Sequence, residues 1–233
     1  MPRQAICGFR LFFLCVLYSF VVGWSVTKCN EYSFHRTRNY FFHSLFFVHT
    51  LPWRYRILRG PWEGFKRGRT LSLFLHAAQG VTGKTYEQLL RTVPSAGALY
   101  PFEIYVIANN VQDVDKGIYH YDVPDHALEL IKYGDFRKKI TNAGLKQEML
   151  GDAGVTFVLA AVFDRTRHKY GERGYRYVYI EAGHISQNIY LQAVSLGLGS
   201  VAVGAFIDKE VNELIGIDGQ KEAAIYLHAV GAL

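Results

Sequence analysis

Beyond residue 70 the chain alternates between two hydrophobic rhythms. From Tyr175 to Leu196 the apolar residues Val178, Ala182, Ile185, Ile189, Ala193 and Leu196 step by 4, 3, 4, 4 and 3. That spacing places them on one face of a long helix. Leu71 to Gln79 reads as a short buried helix stopped by Gly80, and Phe136 to Met149 as another helix. Between them the period changes. Glu103 to Ala108 is β-branched and aromatic, and predicts a strand. Gly117 to Tyr121 and Ala127 to Tyr133 alternate around Val123-Pro124-Asp125, the pattern of a hairpin. Val155 to Phe163 is almost continuously apolar, as a strand covered on both faces must be. Ser200 to Phe206 and Ala224 to Val230 predict two more strands, and Asp208 is placed to cap a helix over Lys209 to Ile215. Helices and strands interleave, but the hairpin requires antiparallel pairing. The expected class is α+β, with a mixed, mainly antiparallel sheet flanked by helices.

The first 65 residues follow neither rhythm. No charged residue occurs from Leu11 to Thr27, 17 positions at the short edge of the ~20 that a spanning helix needs. Arg3 and Arg10 precede this run, so Leu11 to Trp24 has the form of a signal or anchor region, although no small-x-small cleavage site follows. We divide the chain into a hydrophobic and basic extension, residues 1–65, and a folded domain, residues 66–233. The extension serves either as a membrane anchor or as an unstructured segment.

Charge changes at the same boundary. Through Thr70 there are 11 Lys/Arg against 2 Asp/Glu, a net of +9, and from Leu71 onward 15 against 18, a net of −3. The overall +6 therefore belongs to the extension, and because nucleic-acid binding needs basic charge on a folded surface, the basic balance gives little support for it. Cys7, Cys15 and Cys29 all precede the domain, which excludes disulfides, thiolate metal ligands and a cysteine nucleophile from it. No His or carboxylate cluster has metal-ligand spacing, so no metal is expected. A cytoplasmic setting fits, with membrane association through residues 11–24 as the alternative.

The stretch Arg91-Thr-Val-Pro-Ser-Ala-Gly-Ala-Leu-Tyr-Pro-Phe-Glu-Ile-Tyr105 carries the most chemistry. Pro94, Ser95, Ala96 and Gly97 form a turn of small residues ahead of a strand. Small side chains let a backbone approach a flat ligand, and a Ser hydroxyl can donate to it. The same residues would equally make an ordinary loop. This stretch resembles the motif before the first sheet strand of SagB-type dehydrogenases, a branch of the FMN-dependent nitroreductase superfamily that includes azoline oxidases. Further segments resemble that branch in the same order. They are Leu75-His-Ala-Ala-Gln-Gly80 with Val81-Thr-Gly83, then Gly117-Ile-Tyr-His-Tyr-Asp122. Last comes Lys169-Tyr-Gly-Glu-Arg-Gly-Tyr-Arg-Tyr177, running on through Glu181-Ala-Gly-His-Ile-Ser-Gln-Asn188 to Gly197-Leu-Gly199. The resemblance covers about Arg69 to Leu233.

The resemblance implies an FMN-binding homodimer performing two-electron transfer at flavin N5. Pro94, Ser95, Ala96 and Gly97 would line the isoalloxazine ring, typically from the partner subunit. Val203, Gly204 and Ala205 would pass its N5 and O4 edge with backbone groups, which stabilise an electron-rich reduced ring. The glycines 197, 199 and 204 also suit a helix C-cap followed by a crowded strand. Lys169 and Tyr170 are similar to the pair that azoline oxidases use as catalytic base. A lysine partly removed from water loses basicity and accepts a proton near neutral pH, while a tyrosine relays it. Read alone, Arg165 to Lys169 is a solvated basic loop. His184 reads as a packed histidine and not as an acid or base.

The substrate would be a thiazoline or oxazoline ring in a peptide, with a cyclase and a precursor peptide as partners. Alternatively NAD(P)H would be the electron donor and a nitroaromatic, quinone or dioxygen the acceptor. The sequence departs from the family at one place. The Arg-Arg-Ser-x-Arg-like motif that grips the FMN phosphate has no clear copy, and Arg54, Arg56, Arg59, Arg67 and Arg69 are candidates by charge alone. A non-catalytic paralogue acting as a binding or scaffold protein is the rival expectation.

Overall fold

The computed structural model describes residues 69–85 and 88–232. The extension of residues 1–65, its apolar run and Arg54, Arg56, Arg59 and Arg67 lie outside the described residues. Helix α1 (Arg69–Gln79) is followed by a hairpin of β1 (Val81–Lys84) and β2 (Leu89–Arg91), a single turn of 3₁₀ helix (Ala96–Ala98) and β3 (Phe102–Ala108). Then come β4 (Gly117–Asp122), β5 (Ala127–Tyr133), α2 (Arg137–Ala143), α3 (Met149–Asp152), β6 (Val155–Ala161), α4 (Asp164–Tyr170) and α5 (Arg173–Ser195). The chain ends with β7 (Gly199–Val203), α6 (Asp208–Ile215) and β8 (Ala223–Gly231).

Six strands form one sheet in the order β5-β4-β3-β6-β8-β7, and every described pairing is antiparallel. Alternation along β3 and β6 divides the core into two layers. Phe102, Ile104, Val106, Phe157 and Leu159 face α1 and the Val178, Ala182, Ile185, Ile189 and Ala193 stripe of α5. Ile107, Val158 and Ala160 face Ile140, Leu150, Val211 and Ile215 from α2, α3 and α6. Strand β6 is buried at all its positions, as its unbroken apolar run requires. Leu196, the last residue of the predicted stripe, is exposed because the helix has already ended.

Several local expectations are corrected. The single helix predicted over Phe136 to Met149 breaks after Ala143. The Lys146 N–H bonds to the Thr141 carbonyl at 2.8 Å and the Leu145 N–H to that of Asn142 at 3.0 Å, the paired bonds of a Schellman C-cap. That cap needs a left-handed residue, usually glycine, and here Leu145 takes the position at φ 58°. The predicted basic loop is helix α4, whose one fully buried side chain, Thr166, gives it no apolar rhythm to read. Asp208 does not cap α6. It lies inside the first turn, with Ile207 at the cap position and no side-chain cap bond. Strand β7 stops at Val203 and not at Phe206, β6 stops at Ala161, and the β1–β2 hairpin was not anticipated. No helix among the described residues is long and apolar enough to cross a membrane.

The αL position of Leu145 yields a prediction. Replacing Leu145 by Gly should stabilise the protein by ~0.5–1 kcal/mol, because relief of left-handed strain exceeds glycine's added chain entropy. Thermal midpoints of the Gly and Ala variants check it. A Gly variant no more stable than the Ala variant would show that this turn carries no strain.

Candidate functional site

The turn ahead of β3 is held in a costly shape. Gly97 (φ 65°), Ala98 (φ 53°) and Tyr100 (φ 44°) all have positive φ. For residues other than glycine this costs on the order of 1–3 kcal/mol each and persists only where surrounding contacts impose it. The contacts converge on Tyr100. Its N–H donates to the Ser95 hydroxyl at 2.9 Å, and its phenol accepts the Arg91 N–H at 3.1 Å. Its carbonyl accepts from the Arg165 guanidinium at 3.2 Å, and the Arg91 guanidinium stacks 4.8 Å from its ring. The result presents Pro94 and Gly97 at the surface, with Ser95 and Ala96 half-buried behind them.

Helix α4 brings the predicted base pair to this turn. A Cβ added at Gly97 would lie 2.8 Å from the Tyr170 hydroxyl and 2.9 Å from Lys169 Nζ. Both side-chain tips therefore reach the space that glycine leaves open. Tyr170 is half-buried and packs edge-to-face on Tyr177, ring centroids 4.9 Å apart. Lys169 is exposed, so this chain alone does not take its amine out of water.

Val203, Gly204 and Ala205 lie at the end of a different strand, β7. Val203 is buried and pairs with Leu227, while Gly204 and Ala205 are exposed and lead off the end of β7. The sheet places both stretches at the same end. Phe102 pairs with Ala161, which pairs with Ala223 near the start of β8. Three strand spacings separate β3 from β7, roughly 14 Å at ~4.8 Å each. His184 is exposed on α5 and is not a packed histidine. Arg69 opens α1 and is exposed.

The structure adds residues that sequence reasoning passed over. Glu181 lies on the sheet-facing side of α5, 2% exposed, among Gln79, Arg91 and Ser95. Burial pushes its carboxyl up to about 7, against the downward pull of the Ser95 hydroxyl, the Arg91 guanidinium and the Gln79 amide. Its Oε1, Gln79 Nε2 and Arg91 Nε are buried without hydrogen-bond partners. The signal was present in the sequence, since a carboxylate interrupts the apolar stripe between Val178 and Ala182. On the other face of β3, Glu103 bonds His120 at 2.9 Å and pairs with Arg165. Burial raises its carboxyl, but His120 and Arg165 together hold it below the usual range. Gln147, on the α2–α3 turn, reaches the Ala205 carbonyl at 2.8 Å. Among the described residues no group of His, Cys, Asp and Glu is placed to hold a metal ion.

The Glu181 carboxyl makes stability depend on pH. Its folded pKa is raised, so the fold favours the protonated form. That contribution is complete below the ordinary glutamate range and is lost as pH rises through about 7. Glu181→Gln, permanently neutral and isosteric, should therefore gain on the parent as pH rises from 5 to 8. The gap in thermal midpoint should be on the order of 2–4 °C per kcal/mol recovered. Parallel melting curves across that range would contradict the assignment.

The nitroreductase family model matches residues 69–232. A protein of Methanocaldococcus jannaschii named as a nitroreductase, MJ1384, is 45% identical over 163 residues, covering 70% of this chain and 79% of that one. The trifolitoxin-processing protein TfxB of Rhizobium leguminosarum is 30% identical, covering 67% of this chain and 44% of that protein. The microcin B17-processing protein McbC of Escherichia coli is 29% identical over 60% of this chain and 54% of its own. Among solved structures, a nitroreductase of Anabaena variabilis superposes with a TM-score of 0.66 at 31% identity, covering 70% of this chain and 34% of that one. A chain of the E. coli microcin synthetase McbBCD complex, with truncated pro-MccB17 bound, shares the fold at TM-score 0.61 and 23% identity, covering 99% of this chain and 85% of its own. This chain thus spans about a third of the Anabaena protein and about half of TfxB and McbC. With its domain matched from end to end, the chain belongs to the nitroreductase family.

Proposed function

We propose that this chain is an FMN-dependent oxidoreductase of the SagB type, oxidising thiazoline or oxazoline rings in a peptide to azoles. The observation that carries the reading is the meeting of Lys169 and Tyr170 with Gly97. A base pair reaching into space kept open beside a strained, small-residue turn is what proton abstraction next to a flat ring requires. The names of TfxB and McbC, a trifolitoxin-processing and a microcin B17-processing protein, favour a peptide substrate over a free nitroaromatic or quinone.

The residues present suit a planar ring. Small side chains from Pro94 to Gly97 and exposed backbone at Gly204 and Ala205 form two edges without bulk. Arg69, at the N-terminal end of α1, is the described candidate for the phosphate. When bound, FMN supplies a two-electron acceptor that takes hydride at N5, to be reoxidised by dioxygen or a quinone. The chain supplies the proton acceptor. As an azoline becomes an azole it loses a hydride and a proton, and the proton passes to Lys169 with Tyr170 as relay. Use of NAD(P)H as donor to a nitro or quinone acceptor is the neighbouring chemistry of the same site.

Strands β3 and β7, which lead from the two edges, lie three strand spacings apart within one chain, and this favours a homodimer with a partner subunit providing the turn for each ring. Helix α5 offers a surface for that pairing. Tyr179, Ile180, Leu191 and Val194 are 56%, 50%, 60% and 77% exposed along its outer side. Exposed apolar side chains gathered on one side of a helix mark protein contacts.

Two outcomes are expected. Purified protein should be yellow, or should become so with added FMN, at one flavin per chain. Lys169→Ala and Tyr170→Phe should keep the flavin and lose azole formation by ~10²-fold or more. Colourless protein that ignores added FMN ends the enzyme reading. Separately, Leu191→Glu with Val194→Glu should convert a dimer to a monomer by sedimentation, and a double variant that stays dimeric would place the interface elsewhere.

A further inference from the structure

We propose that Gln147 is a positioning residue that sets the Val203–Ala205 edge. The geometric part stands alone, and its consequence for flavin rests on the function proposed above. Strand β7 loses its ladder after Val203, and the next two residues are a glycine and an alanine, both exposed. Neither has a side chain able to anchor it. The backbone is held from outside instead. Gln147 Nε2 donates to the Ala205 carbonyl at 2.8 Å and to the Gly144 carbonyl at 2.7 Å, committing both amide hydrogens. Ile207 N–H donates to the Ala143 carbonyl at 2.7 Å. Residues 204–206 are therefore pinned between the β8 ladder and the end of α2.

The direction of the pin gives it a role. In a trans peptide the C=O and N–H point opposite ways. Drawing the Ala205 carbonyl onto Gln147 turns the next N–H, that of Phe206, away from the α2–α3 turn. A fixed outward donor at the end of β7 suits an electron-rich ring edge, since it needs no reorganisation when charge develops there. The clamp is built on a turn with Leu145 at φ 58° and Lys146 at φ 62°. That left-handed pair ends α2 ahead of Gln147, so its amide belongs to a turn and not to a continuing helix.

The test uses the full chain and two variants. Gln147→Leu removes the donors, and Gln147→Glu keeps the shape while turning a carboxylate toward a carbonyl. Amide hydrogen exchange on the protein without added flavin should quicken about tenfold at Ile207, whose N–H holds the Ala143 carbonyl, as expected for loss of neighbouring hydrogen bonding worth ~1 kcal/mol or slightly more. With FMN added, both variants should bind it more weakly by about tenfold and shift its visible absorption and midpoint potential. Unchanged exchange at Ile207 in folded variants overturns the clamp. Faster exchange with unaltered flavin affinity, spectrum and potential overturns the positioning role. If the parent takes up no FMN, the proposed function fails, and the exchange measurement still decides whether Gln147 holds this edge.

Discussion

The arrangement of the site depends on how Tyr100 is held. Three residues of the 97–100 turn sit at positive φ, and two of them are not glycine. Left alone, such a turn would relax toward ordinary geometry, and Gly97 would swing away from α4. It cannot, because Tyr100 is fixed through its N–H, carbonyl, hydroxyl and ring by Ser95, Arg165 and Arg91. Arg165 opens the same helix that ends in Lys169 and Tyr170. One short helix thus both braces the turn and carries the pair that meets it, which couples the two parts of the site mechanically.

The sheet does the remaining placement. Antiparallel order sets the start of β3, the end of β6 and the start of β8 in a row, and β7 ends beside them. Pairing register, fixed by two buried faces on β3 and β6, therefore also fixes which loops share this end. A one-residue slip would exchange the two core layers and is strongly disfavoured. The rigid part of the molecule is in this sense the sheet, and the candidate site lies where its strands let go.

Much of this was legible in the chain. The α5 stripe, the hairpin and the continuous run of β6 are strong periodic signals, and all appear close to their expected places. Three features escaped for separate physical reasons. Helix α4 is charged nearly throughout and buries little, so it has no hydrophobic period. The α2–α3 break hides because Leu145 occupies a position where glycine would have announced it. Gln147 and Arg165 act on backbone carbonyls 58 and 65 positions away in sequence, and no local pattern encodes a partner at that distance. Glu181 differs from these, since a carboxylate on a core face was visible and only its partners were not.

Glu181 shows most directly how the site is maintained. A buried carboxyl with an unpartnered oxygen, beside an unpartnered amide and guanidinium nitrogen, lowers stability compared with an apolar core. Packing needs none of it, because the stripe around it is complete without a polar member. What the carboxyl adds is a fixed polar partner beside Ser95 and Arg91, two of the groups that hold Tyr100. Gln147 plays the corresponding part at the other edge, where backbone without side chains is held by an amide from a strained turn. At both edges the surface stays small and open because polar side chains behind it carry the constraint. Such a division suits a flat ligand, since any group bulky enough to brace these loops from the front would occupy the ligand's place.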